Sequence, residues 1–215
     1  MRKAREARFM TGQNTSHAVM AQRLEPKDSL DDFPTPPWAT RAFCEWLNPS
    51  HNATVWEPAA NRGYMARALA EYFGHVAASD IVDYGAGYPL CDFLQPSKPL
   101  WQPQWVITNP PFRLAADFVE RGLEVATGGV AVLVRSVWAE GSGRYERLFK
   151  DRPPAWILQH VERVPMVKGR YDPKTSTATA YSWFVWDIAG VWGGGTQFGW
   201  LSPSRKRLER QSDAA

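Results

Sequence analysis

Hydrophobic positions along the chain follow two periods that take turns. The runs "ATVWEP", "HVAASD", "WVITNP", "GGVAVLVRS", "AWILQHVE" and "AYSWFVWDI" are of strand length, rich in β-branched and aromatic residues, and set off by turn-forming stretches. Helix-period segments lie among them. In "DDFPTPPWATRAFCEWL", Thr35 is placed to cap a helix with Pro36 at its first position, and Trp38, Ala42, Phe43, Trp46 and Leu47 share one face. "GYMARALAEYF" predicts a second helix, and Ala115, Phe118, Val119, Gly122, Leu123 and Ala126 line one face of a third. Strands alternating with helices imply an α/β fold, a mostly parallel sheet with helices on both faces. Residues 1–30 show no sustained period and mix Arg, Lys, Gln, Ser and Thr, which predicts a mobile basic arm. The ordered domain is expected over 31–201, with 202–215 as a basic tail, and the Gly-rich "GVWGGGTQFGW" reads as a flexible turn.

Composition narrows the class. At 215 residues and 44% hydrophobic content the chain suits one α/β domain. No apolar run approaches 18 residues, and "MRKAREARFMTGQ" lacks the apolar stretch of a signal peptide, so a cytoplasmic protein with no membrane association is expected. Cys44 and Cys91 are too few for a disulfide scaffold, and His17, His51, His75 and His160 are scattered, so no metal is expected. The net charge of +3 is mild, but cations cluster in "RKAREAR", "ERVPMVKGRYDPK" and "SRKRLER", a pattern compatible with a polyanionic partner.

Ligands of such sheets bind beyond the carboxyl ends of the strands. Four segments stand there: "VWEPAANRGYM", Asp80, "CDFL", and Asn109-Pro110-Pro111-Phe112. Such a tetrapeptide should arise by chance in well under ~1% of chains of this length. An exocyclic amine on an aromatic base is a poor nucleophile because its lone pair is delocalised into the ring. Two acceptors at fixed angles, the Asn109 side-chain oxygen and the Pro110 carbonyl, could hold that nitrogen towards tetrahedral geometry, with Pro110 and Pro111 lowering the entropy of doing so. Phe112 would stack on the base.

In order and position these segments resemble the S-adenosylmethionine-dependent adenine-N6 DNA methyltransferases of small bacteriophage or prophage type, over roughly residues 31–188. The resemblance implies a Rossmann-like methyltransferase fold with a seven-stranded sheet, in which Asn109 ends the fourth strand. It implies S-adenosylmethionine as cofactor, held by Glu57, Pro58, Ala59 and Gly63 of "EPAANRG", by Asp80 and Ile81 at the ribose and adenine, by Asp92 and Phe93 at the adenine amine, by Thr35 and Pro36 near the methionine moiety, and by Asn109. The family's first turn glycine is here Asn61, the non-glycine residue that best tolerates left-handed backbone. Asn before Pro-Pro-Phe leans to adenine, although cytosine-N4 and protein-glutamine methyltransferases share parts of the motif.

The implied partner is double-stranded DNA, from which the target base must be flipped. With no separate recognition domain, "RSVWAEGSGRYERLF" and "RVPMVKGRYDPKTSTATA" remain to contact it, through Arg135, Arg144, Lys168, Arg170 and Lys174 and the neighbouring hydroxyls. So small a reading surface predicts a short recognition site or relaxed specificity. A DNA-binding protein that has lost catalysis is the alternative from another class.

Overall fold

The structure, a computed structural model, describes residues 31–96 and 101–214. The basic arm expected over 1–30 lies outside them. The described chain runs α1 (Pro37–Leu47), β1 (Thr54–Glu57), α2 (Tyr64–Leu69), β2 (His75–Ala78), β3 (Trp105–Thr108), α3 (Ala115–Val125), β4 (Gly129–Arg135), α4 (Ser142–Arg144), β5 (Trp156–His160), β6 (Tyr181–Asp187), β7 (Gln197–Leu201) and α5 (Arg205–Leu208).

The strands form one seven-stranded sheet in the order β2-β1-β3-β4-β6-β5-β7. All pairings are parallel except the two that β6 makes, with β4 and β5. Strand alternation divides the interior into two layers. Ala131, Leu133, Trp183 and Val185 pack with Trp38, Phe43 and Leu69 of α1 and α2. Val130, Val132, Val134, Phe184 and Trp186 pack with Phe118 and Val119 of α3 on the opposite face. Each neighbour in sequence thus faces the other layer, which is why the central strands read as unbroken apolar runs.

Four expectations need correction. Helix α1 begins at Pro37, with Pro36 as the N-cap position and no side-chain cap, so Thr35 does not cap it. The strand carrying Asn109 is the third described strand, not the fourth; between β2 and β3 the described residues form only an isolated bridge, Asp80 to Leu90. Gly85, Gly87, Pro89 and Pro96 leave that stretch little capacity for a ladder. The seventh strand comes from the segment read as a flexible turn: Gly190, Gly193 and Gly195 take positive φ and reverse the chain, and Gln197–Leu201 then pairs with β5. Gly199 sits close under its neighbours there, since a Cβ would lie 3.2 Å from Leu158 and 3.3 Å from Trp156 and those side chains would have to give way slightly. The described part of the expected tail, 202–214, is folded against the domain, with Leu208 and Asp213 buried.

The sheet sets the place of the site. The chain runs outward from β1 to β2, then returns to lay β3 on the other side of β1. This reversal is a topological switch point, and the crevice in which ligands of such sheets bind falls outside the carboxyl ends of β1 and β3, between the loops that carry Glu57–Gly63 and Asn109–Phe112.

Candidate active site

The turn after β1 has the backbone that a glycine-rich loop would provide. Asn61 has φ 51° and Gly63 φ 77°, so Asn61 occupies the left-handed region in which Asn is tolerated. The turn is closed by Gly63 N–H to Ala60 O at 2.7 Å and tied to the end of β2 by Ala60 N–H to Ser79 O at 3.0 Å. Asp80 is 9% exposed. Its carboxylate accepts the Asn61 N–H at 2.8 Å and the Val82 N–H at 3.0 Å, so it holds the turn in place as well as ending the strand. Ile81, beside it, is 63% exposed, an apolar side chain open to a ligand ring.

Glu57 is fully enclosed. Burial pushes its carboxyl well above the ordinary range, the Asp80 charge adds to the shift, and a backbone hydrogen bond from Ala66 partly offsets it. Its Oε2 has no hydrogen-bond partner among the described residues, an unmet polar atom at the base of the turn. A Cβ on Gly63 would meet the Tyr88 hydroxyl at 2.2 Å. The Tyr88 ring therefore lies on the glycine surface that a cofactor would approach. Pro58 and Ala59 form the intervening turn.

The Asn109 loop is the best-defined part of the crevice. Asn109 Nδ2 donates to Phe33 O at 3.0 Å and lies 3.7 Å from Met166 Sδ. A carbonyl can only accept, so the amide nitrogen must face Phe33 and the oxygen is turned the other way. Asn109 Oδ1 is buried with no partner among the described residues. Pro110 is buried and Pro111 half-buried. The Phe112 N–H donates to Asp31 Oδ2 at 2.7 Å, and the Phe112 ring lies 5.7 Å from Phe33 and under the Arg135 guanidinium at 4.5 Å.

The strut joining these loops was not legible as such in the sequence. Asp31 holds Phe112, Phe33 O holds Asn109, and Asp32 Oδ1 accepts from Asn61 Nδ2 at 2.8 Å and from Arg62. Asp32 O also accepts the Gly169 N–H at 2.8 Å. The stretch "DDF" had marked only where order begins; its acidic residues upstream of a helix were the available signal. Thr35 and Pro36 follow the strut and are buried beneath it.

Other expected site residues brace their own turns, lie in the core or stand exposed. Asp92 caps its own turn, accepting from Leu94 N–H at 3.0 Å and Gln95 Nε2 at 3.2 Å. Phe93 is a core residue, 5.0 Å from Trp56 and 5.1 Å from Phe118, not a face open to an adenine. Arg144 donates to Trp138 O at 2.6 Å and to Glu140 O while lying over the Trp138 ring, and burial lowers its pKa. Its guanidinium braces its own loop. Lys168, Arg170 and Lys174 are exposed on the loop between β5 and β6. Arg170 is 70% exposed and 3.5 Å from Asp172.

Sheet order, the single antiparallel strand β6 and the crevice between the β1 and β3 loops define a Rossmann-like methyltransferase fold. No protein-family model matches the chain, and no curated protein matches it. It is similar to the modification subunit of a putative type I restriction enzyme from Vibrio vulnificus, at TM-score 0.56 and 15% identity over 92% of this chain and 53% of that one. A putative RNA methyltransferase from Pyrococcus horikoshii matches at TM-score 0.55 and 13% identity, over 79% of this chain and 95% of that one. A type I restriction-modification methyltransferase subunit from Streptococcus thermophilus matches at 0.52 and 12%, over 74% and 46%. At these identities the likeness is one of fold. The chain spans about half the length of the two modification subunits. Among the described residues no helix is long and apolar enough to cross a membrane, and no group of three or more His, Cys, Asp or Glu side chains could hold a metal ion.

Proposed function

We propose that the chain is an S-adenosylmethionine-dependent DNA methyltransferase acting on the exocyclic N6 amine of a flipped-out adenine. The observation that carries this reading is Asn109 Oδ1, a buried acceptor whose amide is oriented by Phe33 O and which has no partner among the described residues. Burying an unpaired acceptor costs about 1–3 kcal/mol, a cost offset when an amine N–H arrives. The Pro110 carbonyl would take the second N–H, and Phe112 would stack on the base. With both N–H bonds held, the nitrogen lone pair turns out of conjugation towards the methyl donor.

The residues of the turn suit the cofactor. Its sulfonium supplies an electrophilic methyl group, which no side chain here can provide. Gly63 offers backbone without a side chain, Asn61 a left-handed turn with its amide drawn away to Asp32, Asp80 a carboxylate at the strand end, Glu57 a buried carboxyl with an unmet oxygen, and Ile81 an apolar cover. The solved modification subunits with this fold belong to restriction systems, which supports DNA as substrate. Asn109→Ala should leave cofactor affinity nearly intact and lower methyl transfer by about 100-fold or more. Mass spectrometry of N6-methyladenine in DNA incubated with protein and labelled cofactor measures this, and near wild-type transfer would remove Asn109 from the chemistry. Methyl-cytosine or methyl-glutamine as sole product would move the target and keep the mechanism.

One observation favours a second reading, a DNA-binding protein without catalysis: Tyr88 covers Gly63 where the cofactor would lie. The two separate by thermal unfolding with S-adenosylmethionine. Ligand at 100 times its dissociation constant stabilises a binding protein by about 2.7 kcal/mol, and a silent scaffold not at all.

A further inference from the structure

Beside Glu57 Oε2 and Asn109 Oδ1, a third buried polar atom at the crevice lacks a partner among the described residues: Arg135 Nε, a donor. Arg135 ends β4 directly opposite Tyr181 of β6 in the antiparallel register. Its guanidinium lies over the Phe112 ring, Cζ 4.5 Å from the centroid. Burial raises the pKa of the Tyr181 hydroxyl, and the charge and hydrogen bond of Arg135 partly offset that rise. The side chain is therefore held at three points: its strand, Tyr181 and Phe112. Arg170, by contrast, stands out in water at 70% exposure. Arg135 is instead folded inward, over the ring proposed to stack the target base.

We infer that Arg135 reads the target base, donating from Nε–H to one of its ring nitrogens while Asn109 Oδ1 accepts from its amine; this rests on the nucleobase reading above. An aromatic amine such as adenine presents an N–H donor beside unprotonated ring nitrogens that accept. A buried unmet acceptor and a buried unmet donor flanking Phe112 are the complement of that pattern. A base stacking on the face that the guanidinium covers displaces it to the edge of the base, where its donors lie in the plane of the ring nitrogens. Donation to N1 would withdraw electrons from the amine through the shared amidine and weaken the nucleophile. The acceptor is therefore N3 or N7.

Deaza substrates test this atom by atom. Duplex oligonucleotides carrying the site that the wild type methylates are made with adenine, 1-deaza-, 3-deaza- or 7-deazaadenine at the target, each replacing one ring nitrogen by C–H. The wild type should lose about 10-fold or more in kcat/KM on the 3-deaza or the 7-deaza substrate, the scale of a lost charged hydrogen bond. Arg135→Gln should lose a similar factor on adenine and nothing further on that same analogue, whereas penalties on the others add. Cofactor affinity should be unchanged. Arg135→Lys, which keeps the charge, runs through the same cycle should Arg135→Gln not fold. Additive losses on every analogue, or coupling confined to 1-deazaadenine, overturn the inference and leave the methyltransferase reading standing. A wild type that methylates no adenine in DNA overturns both.

Discussion

Glu57 and Asp80 sit close together at the ends of β1 and β2 but are partnered differently, Asp80 on two backbone N–H groups and Glu57 with an unmet oxygen. Asp80 keeps both oxygens on backbone N–H groups, so removing it frees the turn at Asn61 and also takes away the proposed ribose acceptor. Asp80→Ala should weaken cofactor binding by about 10-fold or more, the scale of a charged hydrogen bond, and unchanged affinity by calorimetry would take Asp80 out of the cofactor site. Glu57 is buried and its pKa is raised, so above the ordinary carboxylate range the folded state holds a proton that the unfolded state has released. The unfolded chain then binds fewer protons, and stability falls as pH rises through that window. Glu57→Gln, a mimic of the protonated form, should melt above the wild type at pH 8, with the gap closing as pH falls towards the carboxylate range. Parallel melting curves across pH would show that Glu57 ionises normally in the folded protein.

Among the elements, the loop between β5 and β6 is half anchored and half open. Met166 reaches Asn109, Gly169 is pinned to Asp32 O, and the Tyr171 hydroxyl donates to Glu209 at 2.6 Å. Lys168, Arg170 and Lys174 lie exposed among these anchors, beside Thr175, Ser176, Thr177 and Thr179. Under the proposed function, a cationic loop fixed at its base beside the crevice suits the backbone of the DNA strand whose base would enter there. Replacing all three cations by Ala should weaken DNA binding and flatten the slope of log affinity against log salt by about 0.9 per lost phosphate contact. An unaltered slope would move the phosphate surface elsewhere. The segment after β4 is a weaker candidate, because Arg144 braces its own loop and Arg147 binds Asp117 and Glu120 of α3, each at 2.6 Å.

Across the whole molecule, the C-terminal segment closes the layer that covers α1. Arg41 of α1 is buried, donating to Asp213 through both terminal nitrogens at 2.7 Å, to Leu208 O at 2.7 Å, and to Glu71. Burial pulls against its charge, but Asp213 and Glu71 outweigh that and hold its pKa above the usual value. Removing Asp213 takes two charge-assisted hydrogen bonds from a buried guanidinium and leaves Glu71 alone to balance it. Asp213→Ala should cost about 3–5 kcal/mol in urea unfolding. A loss below about 1 kcal/mol would mean that the terminus contributes little to the fold.

The α/β class was legible because strand and helix periods differ, and each of the six apolar runs carries enough β-branched or aromatic residues to declare itself. The Asn109 tetrapeptide was legible because its residue types are rare together and each has a chemical reason. Asn61 could be read as a glycine substitute, since φ 51° is a local property that Asn permits. Strand β7 could not be read, because its glycines signal a turn and its pairing with β5 is a long-range event. Nor could the packing of 202–214, since Arg41 and Asp213 lie 172 residues apart and exposed charge runs look the same before they find partners. Local pattern thus determined the elements and the candidate amine motif. Tertiary structure alone decided that Asp31–Phe33 ties the loops together, that Tyr88 lies on Gly63, and that Arg135 turns inward over Phe112, because each joins side chains whose proximity no periodicity encodes.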